Sequence, residues 1–175
     1  MDAYEAIVSK RDTREYEALS IEGEALRRIV QAGRMAGSSK NAQPIRLVVL
    51  TEDAEKRAIA GCGDFTEHLP VSPLVIVIVR LGESRAFDAG RVGQNMMIAA
   101  QALGIASCPV GIQHDDCARE RLGLPADAVV AMAITFGYPR GGGVVGRGER
   151  RIEVDEFVRR GRWDGPRGLD RPASR

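Results

Sequence analysis

Three bases fall within five residues near the start of the chain, Lys10, Arg11 and Arg14, with Asp12 between them. In an extended or turning backbone Lys10 and Arg14 can converge on one phosphate through charge-assisted hydrogen bonds. Taken alone, the same cluster also reads as a solvated charge run. Ser38, Ser39, Asn41 and Gln43 offer two hydroxyls and two amides in a short polar stretch. Such groups both donate and accept, as the edge of a heterocycle requires, though an ordinary polar connection has the same composition. Pro109-Val110-Gly111 follows Ser107-Cys108. Gly111 allows a flat ligand to approach main-chain N–H groups or, equally, marks a β-bulge.

A self-sufficient active site is missing from this set. The histidines are His68 and His114, each without a neighbouring nucleophile, and no pair of carboxylates stands out for acid and base work. Cys108, His114 and Cys117 form a C-x5-H-x2-C set that lacks a fourth ligand, so metal is not expected. There is no phosphate-binding Walker loop, and the glycines from Gly141 open onto arginines instead of a helix. The pattern is one of binding groups for a molecule that brings its own chemistry.

The elements that must position these groups are legible from periodicity. Asp2 to Ser9 predicts a short helix that delivers the basic cluster just past its end. Ser20 is the expected cap of a second helix, with Leu26, Ile29, Val30 and Gly33 on its inner face, ending near Gly37. The polar loop follows and stops at Pro44. Strands are expected over 45–51, 73–80, 106–112 and 129–137, the second as a central strand because its apolar run is unbroken. Helices are expected over 53–60, 87–103 and around 117–122, with a last turn at 154–158. The helix over 87–103 has too many apolar positions for much of it to face water, and so is buried in the fold or in an interface. One α+β domain accounts for the whole pattern.

Composition bounds the rest. With 175 residues, 44% of them hydrophobic, the chain can build one core, and Lys+Arg 25 against Asp+Glu 24 leaves a formal charge of +1. No global field draws it to nucleic acid or an anionic membrane. No apolar run is long enough to span a bilayer and the first residues alternate acid and base, so a cytoplasmic protein is expected. Three cysteines make no disulfide framework and are expected as small apolar residues. Arg159, Arg160, Arg162, Arg167, Arg171 and Arg175 are diluted by Gly, Pro and Asp. Residues 159–175 are therefore expected as a mobile, solvated basic tail with no nucleic acid bound.

The order and wording of these pieces resemble the FMN-dependent nitroreductases over nearly the whole chain. Lys10-Arg11-Asp12-Thr13-Arg14-Glu15-Tyr16 is similar to that family's R-R-S-x-R-x-F/Y, and Ala36 to Pro44 to its A-P-S-S-x-N-x-Q-P-W. The long helix followed by Gly104 to Cys108, then Leu122-Gly123-Leu124-Pro125 and Phe136-Gly137-Tyr138-Pro139, resemble further signatures.

The resemblance implies a nitroreductase-like central mixed sheet flanked by helices, a single FMN-binding domain over 1–158, and a homodimer with the long helix and the flavin at its interface. It places Lys10, Arg11 and Arg14, with the late Arg150 and Arg151, on the FMN phosphate. Asp12 stands where the family has Ser, and either orients the arginines or faces the ribityl chain. Ser38, Ser39, Asn41 and Gln43 would reach the flavin from the opposite subunit, and Pro109, Val110 and Gly111 would lie along its ring. Ile45 replaces the family's aromatic and removes any stacking there.

NADH or NADPH would supply electrons to an acceptor such as a nitroaromatic, quinone or flavin in ping-pong fashion. The short segment between Leu81 and Phe87 leaves no room for a lid and implies an open pocket of broad specificity. The competing readings are a flavin- or deazaflavin-binding protein without turnover, and a flavin-destructase-type enzyme, which shares R-D-x-R.

Overall fold

Eight apolar or arginine-bearing residues, Leu74–Leu81, form strand β2, and the first six are buried. Alternate side chains enter two separate cores. Val75, Val77 and Val79 pack with Leu50, Ile59, Leu69 and Ala118 on one face, while Leu74, Ile76 and Ile78 pack with Ile29, Val92, Met96 and Ala100 on the other. Burial on both faces is why the run needs no polar positions. These details come from a computed structural model that describes residues 1–141 and 151–169.

Three further strands, β1 (Ile45–Leu50), β3 (Ala106–Val110) and β4 (Ala128–Gly137), join β2 in the order β1-β2-β4-β3. All three pairings are antiparallel, which corrects the expected mixed sheet. The physical reason lies in the crossover. β2 and β3 run in the same direction, as a helical connection between them favours, but β4 inserts between them and pairs antiparallel with both.

The helices form in the expected places. Helix α1 (Ala3–Ser9) starts with a capping box. Asp2 accepts from the Glu5 N–H at 2.8 Å, and Glu5 accepts from the Asp2 N–H at 2.9 Å. Helix α2 (Gly23–Arg34) is entered from Glu22 without a side-chain cap, so Ser20 is not the cap that the sequence suggested. Gly33 lets α2 approach α4 (Ala86–Ala102), since a Cβ there would fall 2.7 Å from Met96 Cγ. Helices α3 (Asp53–Ala60) and α5 (Asp115–Leu122) cover the other face of the sheet. The apolar surplus of α4, namely Val92, Met96, Met97 and Ala100, is taken up by the chain's own core and does not by itself require a second subunit.

The expectation that no disulfide forms is overturned, while Cys108 is the small buried thiol expected. Cys62 and Cys117 form a disulfide, Cα to Cα 5.5 Å, that ties the end of α3 to α5; Cys108 is buried and free. The sequence could not pair them because 55 residues separate the two and only the packing of α3 against α5 brings them together.

Residues 146–175 form a second compact unit. Its described part contains α6 (Val154–Phe157) and a bridge between Arg159 and Arg167, so order reaches into the expected basic tail. Among the described residues no helix is long and apolar enough to cross a membrane.

Candidate functional site

β3 is an edge strand, and the basic motif is stitched along its free side. The Thr13 N–H donates to the Ser107 carbonyl at 3.4 Å, in a parallel bridge that sets Asp12 opposite Ser107. Pro109 is tolerated in this strand because its nitrogen falls on the unpaired edge. By the period of two, the Gly111 N–H continues that edge just past the strand.

Tyr16 anchors the motif from beneath. Its hydroxyl donates to the Thr13 carbonyl at 2.7 Å and lies 2.7 Å from Thr135 Oγ1. Burial raises its pKa well above the ordinary phenol value and outweighs the Thr135 contact, so it stays a neutral donor. Gly137 makes room for the ring, since a Cβ there would lie 2.7 Å from it.

The side chains of the motif separate by role. Lys10 is largely buried and pairs with Asp12. Arg11 turns back to cap α1, donating to the carbonyls of Val8 and Lys10 at 2.8 Å each. Both bonds come from one terminal nitrogen, and the rest of the guanidinium stays open. Arg14 is exposed beside Cys108 and His68. Burial pushes the Cys108 thiol up while Arg14 pulls it down, and the net direction is up, so it stays a thiol. His68 is buried, held below its ordinary value first by burial and then by the Arg14 charge, and neither ring nitrogen has a partner among the described residues. Ser107 Oγ is likewise buried and unpartnered among them. Sequence reasoning missed Thr13, Ser107, Cys108 and His68 as neighbours of the cations, because the adjacency is created by the edge pairing.

Beyond the strand, Val110 points into the core and can offer only its backbone, while Gly111 is exposed. The Gly111–His114 segment is held by three contacts. The His114 N–H donates to the Cys62 carbonyl at 3.0 Å, the Asp64 N–H to Gln113 Oε1 at 2.9 Å, and His114 Nε2 lies 3.1 Å from Asp64.

The polar loop lies elsewhere. It contains a short 3-10 turn, Ser39–Asn41, and Ser38 Oγ accepts the Gln43 N–H at 2.8 Å. Lys40, Asn41 and Gln43 all have positive φ, of 51°, 53° and 50°. That conformation costs non-glycine residues about 1–2 kcal/mol each. Strain of this kind concentrates where side chains are aimed for binding. The loop leads straight into β1 at the end of the sheet where Ile45 faces Arg80, whereas Ser107 faces Phe136 at the other end of β4. The amides and the cations therefore occupy diagonal corners, on opposite edges of the four-stranded sheet. Ile45 itself packs against the core, so no ring stacks there. Arg151 is exposed within the second unit, and Arg150 lies outside the described residues.

The model of the Nitroreductase family matches residues 7–72 and 66–138. The chain belongs to the nitroreductase family. Among curated relatives, the NADPH-flavin oxidoreductase of Vibrio harveyi is 30% identical over 156 residues, covering 77% of this chain and 65% of the relative, so the chain spans just under two thirds of that protein. An NADH dehydrogenase of Thermus thermophilus is 26% identical, over 79% of this chain and 87% of its own. Among solved structures, a nitroreductase-like Desulfovibrio desulfuricans protein in complex with FMN superposes with TM-score 0.79 at 26% identity, over 90% of this chain and 95% of that one. The relatives bear the names of oxidoreductases of the flavin and NAD(P)H type. Along the β3 edge of this nitroreductase lie Lys10 and Arg14, a buried Ser107 hydroxyl with no partner among the described residues, and the exposed Gly111, a donor set chemically suited to a phosphorylated flavin.

Proposed function

We propose that this chain is an FMN-dependent oxidoreductase that passes electrons from NADH or NADPH to a small acceptor such as a nitroaromatic, a quinone or free flavin. Lys10 and Arg14 hold the phosphate, and Gly111 offers its N–H to the ring. The bound flavin would supply the two-electron chemistry, so the β3 edge needs no acid and base pair of its own. The protein's part is to orient the flavin, support the ring along the backbone of Pro109–Gly111, and leave one face open. Donor and acceptor share that face in turn, so ping-pong kinetics are expected.

The observation that carries this reading is the diagonal separation of the two polar groups. Ser38, Ser39, Asn41 and Gln43 cannot complete the site of their own chain from the far corner. A homodimer places them over the flavin of the other subunit, and the strained loop then has a purpose.

The test is spectroscopic. The purified protein is saturated with FMN and mixed with NADH or NADPH in the absence of oxygen. Prompt bleaching, reversed by a nitroaromatic or quinone, supports the reading. A flavin that binds and stays yellow would make the chain a flavin-binding protein without turnover.

A further inference from the structure

Two segments far apart in sequence meet beside the end of β3. The turn after α3, residues 61–66, packs closely on Gly111–His114: a Cβ at Gly63 would lie 3.0 Å from Gln113 Oε1 and 3.4 Å from the Gly111 carbonyl oxygen. The Cys62 carbonyl accepts the His114 N–H at 3.0 Å, the Asp64 N–H donates to Gln113 Oε1 at 2.9 Å, and the Asp64 carboxylate lies 3.1 Å from His114 Nε2. The two contacts made by the Gln113 and His114 side chains are exposed, and in water such bonds contribute little each. The covalent link across this junction is the Cys62–Cys117 disulfide, which fastens the turn to α5.

The same turn leads on to the basic motif. Thr66 Oγ1 lies 2.6 Å from the Ala60 carbonyl and 2.9 Å from the Gly63 carbonyl, and the Thr66 carbonyl accepts the Leu69 N–H at 2.9 Å. These bonds carry the shape of the turn through to His68, which is buried beside Arg14. One disulfide-anchored turn thus touches Gly111 on one side and the surroundings of Arg14 on the other. The two cysteines are unequally placed. Cys62 is fully buried, whereas Cys117, in the first turn of α5, is partly exposed and is the end that a reductant can reach.

We infer that the Cys62–Cys117 disulfide is a redox switch on flavin affinity: closed, it holds the 61–66 turn and the 111–114 segment in the arrangement that FMN meets, and opened by a dithiol it lets them part. The inference rests on the proposed oxidoreductase reading and adds regulation of its site. One thiolate of the dithiol attacks the Cys117 sulfur and expels Cys62 as a thiolate, which takes up a proton; the second thiol then displaces Cys117 from the mixed disulfide. Two electrons and two protons reach the cysteines, and the dithiol leaves as a disulfide. With the link open, FMN has to order both segments as it binds, and that cost is subtracted from its affinity. Coupling is reciprocal, so bound FMN makes the disulfide harder to reduce.

The experiment equilibrates the whole chain, without oxygen and in the dark, in buffers of reduced and oxidised dithiothreitol at a temperature where both forms are folded. Titration with FMN, read by quenching of its fluorescence, should show about tenfold tighter binding to the disulfide form. Thiol counting across the same buffers should show that saturating FMN moves the midpoint of reduction by the same factor, about 30 mV toward more reducing potentials for a two-electron couple. Cys62→Ser with Cys117→Ser should bind FMN as weakly as the reduced chain and ignore the buffer; if that pair does not fold, the unaltered chain decides. Equal affinity in the two forms, or a midpoint that FMN leaves unmoved, overturns the switch and leaves the oxidoreductase reading standing. All three cysteines titrating as thiols in every buffer overturns it as well. FMN that binds neither form overturns the oxidoreductase reading, and the switch with it.

Discussion

Asp12 lies opposite Ser107 in a parallel bridge, so the basic motif and the strand that leads to Gly111 are one structural unit. The bridge explains how cations from the N-terminal segment come to share an edge with a glycine far along the chain. It also puts a carboxylate next to them. Asp12 pairs with Lys10, and on the proposed reading a phosphate competes with this carboxylate for the same cation.

Competition of that kind has a measurable sign. Asp12→Ser removes the competing charge and adds a hydroxyl, so FMN should bind several-fold more tightly. Lys10→Ala and Arg14→Ala each delete a charge-assisted hydrogen bond worth about 1.5–3 kcal/mol, or roughly ten- to hundredfold in affinity. Arg11→Ala should change affinity little, because its guanidinium caps α1. Quenching of flavin fluorescence on titration reads all four. Weaker binding by Asp12→Ser would show that Asp12 orients the cations and does not compete with the phosphate.

His68 links the site to pH. Its folded-state value lies below the ordinary 6.5, with burial the larger cause and Arg14 the next. Well above the ordinary value the ring is neutral in both folded and unfolded chains, and it makes no difference to stability. At lower pH the unfolded chain takes up a proton that the folded one refuses, so stability falls as the pH drops from the ordinary value toward the folded one. Thermal melts at stepwise lower pH should show this decline, and His68→Leu should flatten it. Bound FMN should make it shallower, since its phosphate neutralises part of the Arg14 charge in the folded state and lets the His68 value rise toward the ordinary one. An equal decline in flavin-free and loaded protein would show that His68 senses burial alone.

Much of this architecture could be read from local pattern. The strand at 74–81 declared itself by an unbroken apolar run, and helix α3 by its amphipathic spacing, since both properties are local. The chemistry-bearing residues were also visible by type. Their grouping was not. That Arg11 turns back onto the carbonyls at the end of α1, and that Arg14 comes beside His68, are set by the fold and not by spacing. The diagonal placement of Ser38–Gln43 needed the strand order, which no period encodes. The mixed sheet failed for the same reason: β4 enters between two strands that a crossover had already set in the same direction.

Tyr16 is the buried pin beneath the motif, and its loss should be structural. Tyr16→Phe leaves the Thr13 carbonyl and Thr135 hydroxyl without their phenol partner. Orphaning such buried groups costs about 1–3 kcal/mol. Gly137→Ala drives a methyl into the Tyr16 ring and Pro73, so it should cost at least as much. Urea unfolding measures both. A Tyr16→Phe variant as stable as the parent would mean that water replaces the phenol, and that the motif is held by the Thr13–Ser107 bridge alone.

The disulfide gives the last test, because it reaches the segment after β3 through the backbone. Cys62 and Cys117 are 55 residues apart in sequence. In the chain-entropy picture a cross-link closing a loop of that size stabilises by about 4 kcal/mol. Reduction, or Cys62→Ser with Cys117→Ser, should lower Tm on the order of 10 °C. The Cys62 carbonyl also accepts the His114 N–H, just past Gly111, so the same change should loosen the segment proposed to meet the ring. Thiol titration of the denatured chain should find one free thiol before reduction, Cys108, and all three cysteines after it. Hydrogen exchange at 111–114 should then speed up in the reduced protein even without flavin. Three thiols before reduction would show that the cysteines stay apart in solution, and unchanged exchange after reduction would show that Gln113 and His114 hold the segment through Asp64 without help from the cross-link.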